Sequence, residues 1–171
     1  QTINYFLQSF DKKPTVCDLG CGDFNVGKQI YPHASRYIAV DIVPALIKHL
    51  KVTYTDPKLT FLAMNIAESD LPKAEVAILR QVLQHLSNQE IQQILDRLKH
   101  YRYLILTEHI PNKNFEPNID IISGQGIRLK KNSGVCITEA PFYFPVKSSK
   151  ELLSVPLHNH QERIVTTLYE L

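Results

Sequence analysis

Apolar positions along this chain fall into two kinds of run. Five stretches, TVCDLG (15–20), RYIAVDIV (36–43), KLTFLAMNI (58–66), EVAILRQV (75–82) and YRYLILTEHI (101–110), are nearly continuous in apolar residues rather than alternating. Continuous runs fit strands of a parallel sheet covered on both faces. Between them, apolar residues recur at three and four. PALIKHLKVTY (44–54) places Leu46, Leu50 and Tyr54 on one stripe, with Pro44 suited to a first helical turn and Asp56-Pro57 ending the segment. SNQEIQQILDRLKH (87–100) reads as a helix with a Ser87/Glu90 capping box, a buried face of Ile91, Ile94, Leu95 and Leu98, and Lys99 and His100 at the C-terminal end of the dipole. Strands alternating with helices predict an α/β, Rossmann-like, doubly wound sheet.

The pattern breaks after residue 110. Residues 111–147 carry Pro111, Pro117, Pro141 and Pro145, with Gly124 and Gly126 close together, and read as a long loop region holding one short helical turn near 118–123. A loop of that length in a compact domain is usually functional or disordered. The apolar texture returns in ELLSVPLH (151–158) and RIVTTLYEL (163–171), joined by the polar NHQE (159–162), which predicts a C-terminal antiparallel hairpin. No repeat or low-complexity segment divides the 171 residues, so residues 1–171 read as a single domain with 111–147 as its substrate-loop region.

Composition narrows the partners. A net charge of +2, with Lys12-Lys13 and Lys130-Lys131 as the only basic pairs of note, gives no reason to expect nucleic acid. No apolar run reaches the length of a membrane span, and QTINYFLQSFDKK lacks the basic start and unbroken apolar core of a signal peptide, so a cytoplasmic protein is expected. Cys17, Cys21 and Cys136 form neither a disulfide pattern nor a zinc pattern, and no metal is expected.

The chemistry concentrates in TVCDLGCGDFNVG (15–27). Gly20 and Gly22 lie where the first strand ends and permit close backbone approach, while N–H groups opening the next helix suit a carboxylate or phosphate. Asp41, nineteen residues after Gly22, closes the second strand, where a carboxylate accepts hydrogen bonds from two ribose hydroxyls. A nucleoside cofactor follows. The glycine spacing is G-x-G-x4-G, not the G-x-G-x-x-G of dinucleotide enzymes, and Asp18 precedes the first glycine by two.

D-L-G-C-G (18–22) resembles the first motif of class I S-adenosylmethionine-dependent methyltransferases, and RYIAVDIV resembles their second strand with its ribose-binding acid. FLAMNIAESDLP (61–72) is similar to their third-strand segment, with Asn65 where an Asp is usual, and AEVAILRQVLQHLS (74–87) to their fourth strand and following helix. The resemblance covers about residues 15–171 and implies the seven-stranded methyltransferase fold, S-adenosylmethionine as cofactor, and methyl transfer to a small molecule or an exposed carrier group. NIDIISGQGIRL (118–129) and APFYFP (140–145) also resemble segments of a subset of that family, without implying a substrate.

On that resemblance, Asp18 helps hold the methionine amino group, Gly20, Cys21 and Gly22 contact the methionyl portion, Asp41 takes the ribose, and Ile42 faces the adenine. Asn65 and the Ile66 N–H meet the adenine edge. Arg80 and Gln81 end the fourth strand, beside the place where the resemblance puts the sulfonium methyl, and a charge following EVAIL must be paired or must face a ligand, so Arg80 is expected among the cofactor-binding residues, with a structural ion pair as the alternative. His85 reads as a packed histidine. Glu108, His109 and Asp120 are candidates for a base on the acceptor side, Arg128 for holding an anionic substrate group, and Phe142, Tyr143 and Phe144 for packing the loop onto the core. Two rival readings are a nucleoside-binding module without turnover and, less well matched by the glycine spacing, a nicotinamide-dependent oxidoreductase.

Overall fold

The computed structural model describes residues 1–157 and 161–171. Seven strands, β1 (Thr15–Leu19), β2 (Arg36–Asp41), β3 (Leu59–Ala63), β4 (Val76–Arg80), β5 (Tyr103–Pro111), β6 (Ser148–Pro156) and β7 (Glu162–Glu170), form one sheet in the order β3-β2-β1-β4-β5-β7-β6. The first five are mutually parallel, and β7 enters antiparallel between β5 and β6. All five continuous runs became strands, and the hairpin formed; residues 159 and 160 of its NHQE connection lie outside the described residues.

Four helices, α1 (Thr2–Gln8), α2 (Gly27–Ile30), α3 (Pro44–Thr53) and α4 (Asn88–Leu98), flank the sheet. The strands are apolar on both parities because each face has its own core. Cys17, Leu19, Val40, Leu79 and Leu104 join the inward face of α4, while Val16, Tyr37, Ala39, Ile78 and Ile105 join Leu7, Ile30, Ile47 and Leu50 of α1, α2 and α3. The capping box opening α4 forms in both directions, and its four expected apolar residues are buried. In α3 the buried stripe is Ile47 and Leu50, with Leu46 and Tyr54 half-buried at its margin. The expected stripe was therefore rotated by about one residue.

Residues 111–147 hold no helix at 118–123; the helical turn there is a 3-10 turn at Arg128–Lys131. Asn118 explains the difference. Its φ of 59° takes the chain into the left-handed region, and its buried amide donates from Nδ2 to Cys136 O (2.8 Å) and Ala140 O (2.7 Å) while Oδ1 accepts from Cys136 N (2.8 Å). Ser133, fully buried, ties the same region by donating to Glu116 O and accepting from Ile119 N. These side chains supply the partners that a helix would have taken from its own backbone. Phe142 and Phe144 sink into the α4-side core with Val135 and Ile137, and Tyr143 between them is 70% exposed.

Replacing Asn118 with Ala leaves Cys136 N and the Cys136 and Ala140 carbonyls without this partner in a partly buried place. We expect Asn118→Ala to cost about 2–4 kcal/mol of unfolding free energy, read by urea denaturation. A loss below about 0.5 kcal/mol would mean the loop is held by its aromatic residues alone.

Candidate functional site

The site is set by where β1 stops. Its neighbours are β2 on one side and β4 on the other, and chain connections leave in opposite directions from this point, opening a crevice beyond the strand ends. Gly20 (φ 87°) turns the chain; its N–H and that of Cys21 both donate to Val40 O at 2.8 Å. A Cβ on Gly20 would lie 2.3 Å from Val82 Cγ2, so β1 and the segment after β4 approach too closely for any side chain there. Asp41, closing β2, is fixed by two backbone donors, Gly22 N to Oδ2 and Val43 N to Oδ1, each at 3.0 Å. Each oxygen keeps a further lone pair for another donor.

A cavity of about 310 Å³ occupies this crevice, and Gly20, Asp41, Ile42, Asn65, Ile66 and Arg80 are on its wall. Ile42 is 63% exposed at the rim, an apolar face with no protein covering it. Asn65 accepts from Ala67 N through Oδ1 (3.0 Å), which leaves its Nδ2 without a partner among the described residues. Cys21 and Gly22 stand beside the wall rather than on it, and Asp18 lies beneath the turn, buried, accepting from Tyr37 Oη at 2.8 Å. Burial pushes Asp18 up to about 6, opposed by the Tyr37 hydrogen bond and by Arg80.

The methyltransferase domain family matches residues 1–154. The chain belongs to that family. Among solved structures, the methyltransferase domain of bacterial CtHen1-CN superimposes with a TM-score of 0.68 at 16% identity, over 99% of this chain and 96% of that one. The N-methyltransferase NodS of Bradyrhizobium japonicum WM9, solved with S-adenosyl-L-homocysteine, gives 0.66 at 11% identity, over 91% and 77%. The 1,6-didemethyltoxoflavin-N1-methyltransferase of Burkholderia thailandensis, solved with 1,6-didemethyltoxoflavin and S-adenosylhomocysteine, gives 0.62 at 15%, over 99% and 77%. At these identities the likeness is one of fold, the class I methyltransferase fold. Comparison with curated proteins finds no match.

In this methyltransferase domain the wall beyond β4 is a 3-10 turn, Leu83–His85, leading into α4. His85 and Glu90 line the cavity, roles that the sequence masked behind a packed histidine and a capping box. His85 Nδ1 lies 3.3 Å from Gly126 O, and its own carbonyl accepts from Gly124 N at 3.0 Å. Glu90 Oε2 receives Ser87 N, Ser87 Oγ and Ser123 Oγ, and these bonds hold its carboxyl below the ordinary range. Oε1 takes no donor among the described residues.

None of the four candidates for the acceptor side is on the wall. Asp120 accepts from Asn88 N (2.7 Å) and Ile121 N, completing the first turn of α4. His109 sits with Nε2 3.0 Å from Glu162 Oε2, and its backbone N–H donates to Gln84 Oε1 at 3.3 Å. Arg128 is buried, donating from Nη1 to Leu83 O (3.1 Å) and from Nη2 to Asn88 Oδ1 (2.7 Å). Glu108 is buried behind the same turn, with no donor in good geometry at either oxygen, although the Leu83 and Gln84 N–H groups and Arg128 favour its charged form. Burial outweighs them and pushes Glu108 up to about 8. These residues support the cavity wall from behind.

For an acid whose native value lies above its ordinary 4.5, the folded state holds the proton more tightly than the unfolded chain. Its contribution to stability is whole below 4.5 and declines as pH rises to about 8. Glu108→Gln removes that decline. We expect the variant to gain on the parent between about pH 5 and about pH 8 in urea denaturation, with Asp18 common to both; parallel pH profiles would refute the buried, protonated Glu108.

Proposed function

We propose that residues 1–171 act as one catalytic domain that transfers a methyl group from S-adenosylmethionine to a small molecule or an exposed group of a carrier. The observation that carries this reading is the cavity at the tip of β1, framed by a glycine that admits no side chain and by a carboxylate pinned by backbone donors. The chain's residues fit the cofactor: Asp41 has lone pairs left for ribose hydroxyls, Ile42 offers an uncovered apolar face, and Asn65 Nδ2 and the Ile66 N–H suit an adenine edge. Two structural neighbours, NodS and the toxoflavin enzyme, were solved with S-adenosylhomocysteine.

When bound, the cofactor supplies an electrophilic methyl on positively charged sulfur, open to in-line displacement. The chain's task is then alignment and exclusion of water. Gly20 and Val82 fix the floor of the cavity, and Arg128, by holding Leu83 O, keeps the 3-10 turn carrying His85 in place. Glu90, through its open Oε1, is the wall group from which an acceptor finds a hydrogen-bonding partner in this reading, while the His85 ring, with Nδ1 at Gly126 O and Nε2 at Gln84 Nε2, shapes the wall. A nicotinamide cofactor is disfavoured by the G-x-G-x4-G spacing. A cytoplasmic setting stays within the reading on the sequence argument.

Calorimetry with S-adenosylhomocysteine tests the cofactor directly. We expect saturable one-to-one binding, weakened about 10- to 100-fold by Asp41→Ala, since that variant removes a charged acceptor of two hydrogen bonds. An absence of heat at millimolar ligand, or an unchanged affinity in Asp41→Ala, would sink the reading.

A further inference from the structure

Behind the far wall of the cavity lies a buried group of polar atoms left unpaired. Glu108, in the carboxyl half of β5, is buried, and neither of its oxygens has a hydrogen bond among the described residues. Arg128, buried beside it, engages Leu83 O and Asn88 Oδ1 with its two Nη groups, while its Nε has no partner. The N–H groups of Leu83 and Gln84, buried at the start of the 3-10 turn, donate to no acceptor in good geometry among the described residues. Buried polar groups are normally paired. All three free donors belong to, or are bonded to, the turn that carries His85 into the cavity wall. A neutral carboxyl can sit among them unbonded, but a carboxylate there must draw donors onto itself.

The field for that second state is already in place. Leu83 N–H, Gln84 N–H and Arg128 all favour the charged form of Glu108, while burial opposes it and pushes the acid up to about 8. Cys136, from the segment after β5, and Tyr169, from β7, also feel the Glu108 charge, and burial pushes them up to about 11 and about 12, above this range. Further out, Asp120 acts on Arg128, and Glu139 and Arg163 act on Cys136. His85 on the turn and His109 next to Glu108 on β5, the latter beside Glu162, complete the titratable surroundings named here.

We propose that Glu108 is a proton-controlled latch on the cavity wall: when its O–H bond breaks and the proton passes to water, the carboxylate draws the Leu83 and Gln84 N–H groups and Arg128 Nε onto itself and fixes the turn that carries His85. In the neutral acid these donors stay unpaired, and the turn is held by its other bonds alone. A latched wall loses less freedom when a ligand enters, so the cavity binds more tightly in the ionised state. The latch is a property of the wall and goes beyond the cofactor reading.

The amide resonances of Leu83 and Gln84 read the latch without any ligand. In 1H–15N spectra taken from about pH 6 to about pH 9.5, we expect both amide protons of the parent to move downfield with one midpoint near 8. They stay in place in Glu108→Gln, which keeps both histidines and every other group named. Amides that do not titrate in the parent, or that titrate alike in the variant, overturn the proposal. Should Glu108→Gln not fold, the parent alone decides: the Glu108 carboxyl 13C resonance and the two amides titrate in step, and a carboxyl that ionises without moving the amides overturns the latch. Calorimetry with S-adenosylhomocysteine reads the consequence, a gain in affinity of about 3- to 10-fold for the parent over Glu108→Gln between about pH 6.5 and about pH 8.5. Equal pH profiles of affinity overturn the link from latch to cavity. A parent that binds no S-adenosylhomocysteine removes the cofactor reading, and the amide titration still decides the latch.

Discussion

One carbonyl organises the site. Val40 O takes the N–H of both Gly20 and Cys21, so the chain leaving β1 is bent back against the end of β2 instead of running on into solvent. That bend brings Gly22 N onto the Asp41 carboxylate and leaves Gly20 within contact of Val82. Three strands are thereby joined at their carboxyl ends by one turn, and the crevice above them is as rigid as the sheet below. Cavities built in this way are largely formed before a ligand arrives, which lowers the ordering cost of binding.

The same rigidity reaches the far wall by another route. The 3-10 turn after β4 makes few bonds of its own, yet Arg128 holds its Leu83 carbonyl, Gln84 receives the His109 N–H, and Gly124 donates to the His85 carbonyl. Every one of these partners comes from β5 or from the segment after it. The long segment 111–147 is therefore a second wall docked by side-chain amides and hydroxyls, with Phe142 and Phe144 driven into the core beneath. Burying Arg128 and Glu108 is the electrostatic cost of that docking, and Glu108 meets it by taking up a proton.

Much of this was legible in the chain, for physical reasons that differ from element to element. The five parallel strands announced themselves because burial on two faces demands apolar residues at both parities, and α4 because a capping box and a stripe at three and four coincide. The position of Gly20 and Asp41 on the cavity wall was legible because a tight turn needs a residue without a side chain and an acid closing the next strand stands at the same sheet end. The α3 stripe was displaced because helix phase is set by the neighbour it meets, and Ile47 and Leu46 are equally apolar. The turn expected at 118–123 failed because Asn118 serves residues eighteen and twenty-two positions away, and no local pattern carries such a bond. Glu90 was hidden for the opposite reason: its capping role accounted for it fully, although a carboxylate has a second oxygen.

Charge gives the last constraint on the site. Two carboxylates, Asp41 and Glu90, face one guanidinium, Arg80, on the cavity wall. Glu90 is held ionised by three hydroxyl and amide donors, so this excess does not depend on the ligand. A sulfonium nucleoside with a zwitterionic tail carries one positive charge in excess, and its demethylated thioether carries none. In a half-enclosed cavity of low polarity such a difference weighs more than it would in water. A cavity walled in this way holds a singly positive ligand more favourably than a neutral one of the same shape.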